Sequence, residues 1–404
     1  MSESRHPLRS SLFPDVAPYL RILEAGQSYD PPLPEELAGV GLAAPNGISP
    51  IVEESVRQAG LSLLNTDSSS VACRWETLPI TEKGRDEINF SLRPDQKINQ
   101  FPGLYVIGRK DYLWTSYHQM LLKHGAVHFD FLARCYILPD DKEECVTAMK
   151  TDKKVMIIKP PNYYCGIGIK LINNTADLPY KKNKMVVQEY LDRPFLINNL
   201  KFDLRLYVLL TSVRPLRLYL YEEGLVRFAT KEYSSDLADI ADRFIHITNF
   251  SVNKTNTDFV YNEQPGQYWT SHIFSEIQYL YPGEYKGHKW NLKTLWKYFE
   301  SELGLDWRPV WERIKDVCVK TILCGRDKIA AETARNVRTD NGCFKLFGFD
   351  IFLDSDLKPW LLEVNNIPSL HINTIDAFVN RPMVAEMFNI VGRSPLTTTH
   401  HHSL

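Results

Sequence analysis

Residues 348–369 read GFDIFLDSDLKPWLLEVNNIPS, two apolar-rich segments around the polar Asp354-Ser355-Asp356-Leu357-Lys358. Aspartate, serine and lysine between hydrophobic runs have the chemistry of a hairpin turn. Side chains alternate along a strand, so Phe349, Ile351 and Leu353 share one face and Asp350 lies with Phe352 on the other. The second strand is expected to place Trp360, Leu362 and Val364 on one face and Leu361, Glu363 and Asn365 on the other. If the strands pair, Asp350, Glu363 and Asn365 converge. Three oxygen donors on neighbouring strands suit a hard cation of the Mg2+ type. An ordinary half-exposed hairpin stays open as the alternative on these residues alone.

The surrounding 404 residues are 44% hydrophobic and 24% charged, enough for two or three domains around a large core. The formal net charge of -2 marks no general affinity for nucleic acid. The seven cysteines are scattered without a C-x-x-C pair, which argues against zinc and for a reduced, cytosolic setting. The opening MSESRHPLRSSLFP has no apolar core, so no secretory leader is expected, and no apolar run approaches the roughly 18 residues of a membrane span. No internal repeat is apparent.

Before residue 98 the chain is proline-rich and irregular. Ser49-Pro50 opens an expected helix, and Val71–Trp75 reads as a strand. A helix is expected over 111–124, with Leu113, Tyr117, Met120 and Leu121 at helical spacing. A buried strand follows at 134–139, then a helix over 140–150. The stretch VMIIKPPNYYCGIGIKLI (155–172) reads as strand, glycine loop, strand. No helix follows the glycines, so it is a phosphate-covering flap rather than a Rossmann turn. Gly166 and Gly168 let backbone N–H groups approach an anion, and Lys159 adds a point charge. A plain hairpin turn is the competing reading.

KMVVQEYL (184–191) is a strand whose end offers backbone groups to an adenine edge. KFDLRLYVLL (201–210) turns Phe202, Leu204, Leu206 and Val208 to a core, and Lys201, Asp203, Arg205 and Tyr207 the other way. The charged face fits either a solvated surface or an active site. LRLYLYEEGLVRFATKEY (216–233) is expected as two strands around a Glu223-Gly224 turn, supplying Arg217 and Arg227. FIHITNFSVNK (244–254) puts His246, Thr248 and Asn249 near a strand end, although a lone histidine is more often structural. Residues 255–288 form a long polar and aromatic loop. Helices are expected over 289–303, from 310 to about 334, and over 381–391, with Pro382 early in the last. The three closing histidines are not read as a metal site.

Taken in order, KPPNYYCGIGI, VVQEYL, KFDLRLYV, GLVRFAT, HITNFSVNK, GFDIFLD and KPWLLEVNNIPSLH resemble the tubulin tyrosine ligase-like family. The similarity runs from about Asn99 to Gly392, with weaker likeness at residues 11–19. NQFPG, IGRKDYLW and the glycine loop look most like the family's polyglutamylases. The resemblance implies an α/β (α+β) chain with an ATP-grasp fold: a small N-terminal domain (1–98), a central domain carrying the flap (99–184), a C-terminal domain carrying the metal site (185–393) and a polar tail (394–404), with nucleotide between the last two domains.

The same resemblance implies roles. Lys159 contacts ATP phosphates under the Gly166/Gly168 flap. Gln188, Glu189, Tyr190 and Leu191 hold adenine. Lys201 and Asp203 contact nucleotide, Asp203 at the ribose. Arg205 and Arg227 stabilise the transferred phosphoryl group, and His246, Thr248 and Asn249 line the reaction centre. Lys254 binds the incoming amino acid, and Asp350, Glu363 and Asn365 hold Mg2+. The implied activity is ATP-dependent joining of free glutamate to side-chain carboxylates of acidic tails, of tubulin in microtubules or of other acidic proteins, through an acyl phosphate. The implied enzyme is a monomer of the cytoplasm and cytoskeleton, including cilium and basal body, with no nucleic-acid or membrane partner. A glycine ligase and a non-catalytic tubulin-binding relative are the alternatives. Two departures stand out: Asn162-Tyr163-Tyr164-Cys165 replaces small residues in the flap, and Asn366-Ile367 follows the metal set.

Overall fold

The computed structural model describes residues 7–9, 19–21, 23, 28–32, 41–66, 68, 70–77, 92–93, 96–163, 165–179, 184–261, 287–337, 342–372 and 374–392. Most of the expected 255–288 loop, Tyr164 of the flap and the tail from 394 lie outside them.

Among the described residues, Leu8–Arg9 pairs antiparallel with Tyr19–Leu20, and the first of three larger sheets, a parallel one, follows. Its strands are β1 (Gly41–Ala43), β2 (Ser62–Leu64), β3 (Val71–Arg74) and β4 (Lys97–Ile98), ordered β2-β1-β3-β4. Helix α1 (Pro50–Gln58) buries Ile51, Val52 and Val56. Ser49 precedes it as expected, but its hydroxyl donates to the Leu370 carbonyl (2.9 Å) instead of capping the helix. The Phe101-Pro102-Gly103 bend leads into α2 (Tyr105–Gly108) and α3 (Lys110–His124), where Leu113 and Tyr117 are buried.

The second sheet is antiparallel. It contains β5 (Cys135–Leu138), β6 (Met156–Lys159), β7 (Lys170–Ile172) and β8 (Met185–Glu189), ordered β5-β8-β6-β7, with α4 (Lys142–Thr151) against it. The expected boundary after residue 184 therefore falls immediately before a central strand of this sheet.

The third sheet carries the largest core. β9 (Leu196–Ile197) pairs with the start of β10 (Leu200–Val213), which runs beside β11 (Leu216–Phe228). Two short helices follow, α5 (Arg243–His246) and α6 (Phe250–Asn253), then β12 (Lys289–Asn291), α7 (Leu292–Ser301) and α8 (Arg308–Asn336). Strands β13 (Lys345–Leu353) and β14 (Pro359–Asn365) complete the order β12-β11-β10-β13-β14, and α9 (Thr374–Val391) ends the described fold.

Both faces of this sheet are covered. Leu204, Leu206, Val208, Phe347, Phe349 and Ile351 pack with Leu295, Phe299, Ile314 and Ile322 from α7 and α8. Tyr207, Leu209, Leu225 and Leu346 on the opposite face pack under α9 and α1. Each fully buried large apolar side chain contributes roughly 1.5–3 kcal/mol. At the other end of this second face the buried Lys201, Asp203, Arg205, Arg227 and Asp350 cluster.

Four expectations are corrected. Glu223-Gly224 is not a turn: both lie inside the continuous strand β11, and the hairpin turns at Arg214-Pro215. Gly224 is required by close approach, since a Cβ there would sit 2.7 Å from the Arg205 carbonyl oxygen. A bulge between the Asp350↔Glu363 and Ile351↔Leu361 pairs lets Leu361 join Val364 in the core and turns Leu362 to the same cleft as Glu363. Strict alternation therefore misplaces Leu361 and Leu362. His246 to Asn249 sit on and between short helices, not at a strand end. Helix α9 begins at Thr374, so Pro382 is interior rather than early.

Candidate active site

The second and third sheets face each other across a cleft of about 630 Å³, open solvent included. Ile157, Lys159, Gln188, Glu189, Tyr190 and Leu191 come from the second sheet's side. Lys201, Asp203, Asp350, Phe352, Leu362 and Glu363 come from the third, and His246, Ile247, Thr248 and Asn249 close one wall. Ile157, Ile247, Leu171 and Val252 form an apolar cluster with Ile169 and Tyr190 against it, so one part of the cleft is greasy and the other ionic.

The ionic part follows from register. Asp203 stands directly opposite Arg227, and Arg205 directly opposite Asp350. Arg227 Nε and Nη2 donate to the two Asp203 oxygens at 2.7 and 2.6 Å. Arg205 Nε and Nη2 donate to the two Asp350 oxygens at 2.6 and 3.1 Å. A further contact of 2.9 Å joins Arg227 to Asp350, and Thr248 Oγ1 donates to Asp203 at 2.7 Å. Burial pushes the Asp350 carboxyl up, but Arg205 and Arg227 outweigh it and hold it well below the usual carboxylate range. Burial opposes the charge on both arginines, yet Asp203 and Asp350 raise Arg227 and Asp350 raises Arg205. Gly348 leaves room for this arrangement: a Cβ there would lie 3.1 Å from Arg205 Cδ.

Glu363 faces Asp350 across β13 and β14, and Asn365 faces Gly348. Asn365 Nδ2 donates to Glu363 Oε1 (3.3 Å) and to the Gly348 carbonyl (3.4 Å). Asp350, Glu363 and Asn365 thus stand on one strand pair, with both Asp350 oxygens engaged by Arg205 and Arg227. Two carboxylates and an amide oxygen fit Mg2+, which keeps most of its remaining ligands as water or phosphate. Among the described residues no group of three or more His, Cys, Asp and Glu forms a closed metal cage. Lys110, at the start of α3, bridges Glu363 Oε2 (3.0 Å) and the Tyr163 carbonyl (3.0 Å).

The lysines of the cleft are buried. Lys159 Nζ donates to Gln188 Oε1 (2.6 Å), whose amide donates to the Ala133 carbonyl (3.1 Å); burial lowers the Lys159 pKa. Burial brings Lys201 down to about 7, against the raising effect of Asp203. Lys201 Nζ donates to Tyr190 Oη (2.8 Å), which lies 3.1 Å from His246 Nδ1. His246 Nε2 lies 3.2 Å from the Asp239 carbonyl, which can only accept, so Nε2 carries the proton and Nδ1 accepts from the tyrosine. Burial, then the Lys201 charge, lowers the His246 pKa.

Gly166 and Gly168 both have left-handed backbone, with φ of +70° and +72°. Gly166 lies against Asn249 and Val252 and Gly168 against Pro160, and neither lines the cleft. Lys254 is not brought into it: this exposed side chain follows α6, its Nζ 5.6 Å from the Phe250 ring. Sequence reasoning assigns no role to Lys110 or Arg243, because their contacts are long-range. Nor does it single out the buried Lys289–Asp376 pair, whose Nζ–Oδ1 distance is 2.6 Å. The helical period of α9 does place Asp376 one turn from Asn380, and both are buried.

A family model described as Tubulin-tyrosine ligase family matches residues 89–284 and 275–400. Tubulin monoglutamylase TTLL4 of Mus musculus is 41% identical over 304 residues, covering 75% of this chain and 24% of that protein. Tubulin polyglutamylase ttll-4 of Caenorhabditis elegans is 34% identical over 388 residues, 95% of this chain and 59% of that protein. Tubulin polyglutamylase TTLL5 of Homo sapiens is 37% identical over 303 residues, 75% and 22% respectively. The chain thus spans between about a fifth and three fifths of these relatives' lengths.

Proposed function

Because the chain belongs to the tubulin-tyrosine ligase family, we propose that its cleft binds ATP with Mg2+ and joins free glutamate to a side-chain carboxylate of an acidic protein tail, tubulin first. The carrying observation is the Asp203–Arg227–Asp350–Arg205 network with Glu363 beside it, paired with Asp350 on the neighbouring strand. The relatives' names, as tubulin glutamylases, support the substrate and the amino acid. We further propose an ATP-grasp arrangement, with nucleotide between the 135–189 sheet and the 196–365 sheet, both of which line the cleft. Residues before 98 would form the small N-terminal part.

In this reading Ile157, Ile247, Phe352 and Leu362 enclose the adenine, and Gln188, Glu189, Tyr190 and Leu191 address its edge. Lys201 and Asp203 hold the sugar, and Lys159 the phosphates under Gly166 and Gly168. Asp350, Glu363 and Asn365 would hold Mg2+, which when bound neutralises phosphate charge.

An acceptor carboxylate is a poor electrophile. Its oxygen bonds to the γ-phosphorus as the bond to the β-phosphate oxygen breaks, leaving ADP and an acyl phosphate. The neutral amine of glutamate then bonds to the acyl carbon, phosphate leaves and the nitrogen loses a proton. Arg205 and Arg227 stabilise charge on the moving phosphoryl group, a task of positioning and electrostatics rather than covalent chemistry. His246, Thr248 and Asn249 fix the wall of that region. Lys254, exposed at the end of α6, is the proposed cation for the incoming amino acid.

The reading places the enzyme in the cytoplasm and on the cytoskeleton, including cilia. No helix among the described residues is long and apolar enough to cross a membrane. Competition between labelled glutamate and labelled glycine, with ATP, Mg2+ and tubulin, tests the assignment. Glutamate incorporation is expected, and glycine-only incorporation contradicts it.

A further inference from the structure

We propose that Arg243 and Ser251 are positioning residues that fasten the glycine flap to the wall of the cleft. The inference rests on the reading of the cleft as a nucleotide site.

The flap between β6 and β7 has little of its own to hold it. Cys165, Gly166 and Gly168 all have left-handed φ, at +59°, +70° and +72°. A left-handed cysteine costs roughly 1–2 kcal/mol relative to ordinary backbone, so its surroundings must impose it. Within the described flap the backbone contact is a long one, Ile169 N–H to the Gly166 carbonyl at 3.4 Å.

Lys110 holds the Tyr163 carbonyl at the start of the flap, and the restraint on the glycine end comes from the segment that carries His246, Thr248 and Asn249. Ser251 Oγ donates to the Cys165 carbonyl at 2.9 Å, and Arg243 Nη2 donates to the Gly166 carbonyl at 2.7 Å. Gly166 is buried at this junction, though its neighbours Cys165 and Ile167 are exposed. A Cβ on Gly166 would lie 3.0 Å from Val252 Cγ2, 3.3 Å from Asn249 Oδ1 and 3.4 Å from Arg243 Nη2. The glycine therefore permits the contact, and the two side chains secure it.

Two consecutive carbonyls are captured by two different elements, α5 and α6. A trans peptide is planar, with C=O and N–H pointing in opposite directions. Fixing the Cys165 and Gly166 carbonyls therefore fixes the directions of the Gly166 and Ile167 N–H groups. Those are the groups a phosphate-covering loop must aim. Arg243 here acts through backbone, not as a counter-ion to substrate, and Ser251 acts through a single hydroxyl.

The chain contains its own reporter. Of its seven free cysteines, Cys165 is the exposed one; Cys135, Cys145, Cys318 and Cys343 are buried, and Cys73 and Cys324 are partly covered. Its alkylation rate is measured in the full chain and in Ser251→Ala, Arg243→Ala and Ser251→Thr. Each is tested with and without Mg2+ plus a non-hydrolysable ATP analogue. Losing one such hydrogen bond is expected to speed Cys165 alkylation and weaken analogue binding by about threefold to tenfold in each alanine variant. Ser251→Thr, which keeps the hydroxyl, is expected to restore both. Rates and affinities equal to the parent in both alanine variants overturn the fastening role. Faster alkylation in those variants with no analogue binding by the parent supports the fastening and overturns the nucleotide reading instead.

Discussion

Arg227 Nη2 lies 2.9 Å from Asp350 Oδ2, and this contact joins two cross-strand pairs into one network of two guanidiniums and two carboxylates. The four charges balance, and all four side chains are buried. This network is thus neutral as a unit and strongly charged atom by atom, a state that suits a site where phosphate and metal charge arrive together.

Removing one partner leaves buried charge uncompensated. Arg227→Ala is expected to destabilise the fold by about 3–5 kcal/mol in chemical denaturation. The Arg227→Ala/Asp203→Ala double variant is expected to lose less than the sum of the two single changes. A single-variant loss below about 1 kcal/mol contradicts the network's structural role.

Glu363 is less buried, and its partners are Lys110 and Asn365. Glu363→Gln keeps the shape and removes the charge. Ligase turnover is expected to fall on the order of a hundredfold or more, while the denaturation midpoint barely moves. Unchanged turnover in Glu363→Gln contradicts the proposed metal role.

Burial penalises the Lys201 charge and brings its pKa down to about 7. Between about 7 and its ordinary value of 10.5, the unfolded chain holds this proton and the folded chain does not. The Lys201 contribution to stability therefore increases as pH rises through that window. Polyphosphate beside it favours the ammonium, so nucleotide binding at pH 8 is expected to take up a proton. Calorimetry in buffers of different ionisation heat reads this directly. The uptake is expected to disappear in Lys201→Met, and its persistence there assigns the proton elsewhere.

Gly224→Ala tests the close approach of β11 to β10. Its Cβ would press on the Arg205 carbonyl oxygen, and neither strand can withdraw without disturbing the Arg205–Asp350 pair. A loss of about 1–3 kcal/mol is expected in denaturation experiments, and a neutral outcome contradicts the tight packing.

Much of the site is legible where chemistry follows local periodicity. Lys201, Asp203 and Arg205 alternate with Phe202, Leu204 and Leu206, and the structure puts the first set on the cleft side and the second in the core. Asp350, Glu363 and Asn365 meet because a strand pair with a polar turn brings them together. Alternation fails at Leu361 and Leu362, where one bulged residue reverses their faces. It also fails at Gly224, since a glycine permitting backbone approach and a glycine making a turn look alike in sequence. Lys110 and Arg243 are invisible locally because their partners, Glu363 and Gly166, are distant along the chain. Short helices such as α5 and α6 are too brief to show a period.

Mass spectrometry of tubulin after incubation with the chain, ATP, Mg2+ and free glutamate tests the central claim most directly. Glutamate joined by amide bonds to glutamate side chains of the acidic tails is predicted, absent without ATP and strongly reduced with Glu363→Gln. Tubulin unmodified by the intact chain, or modification that persists without ATP, would contradict it.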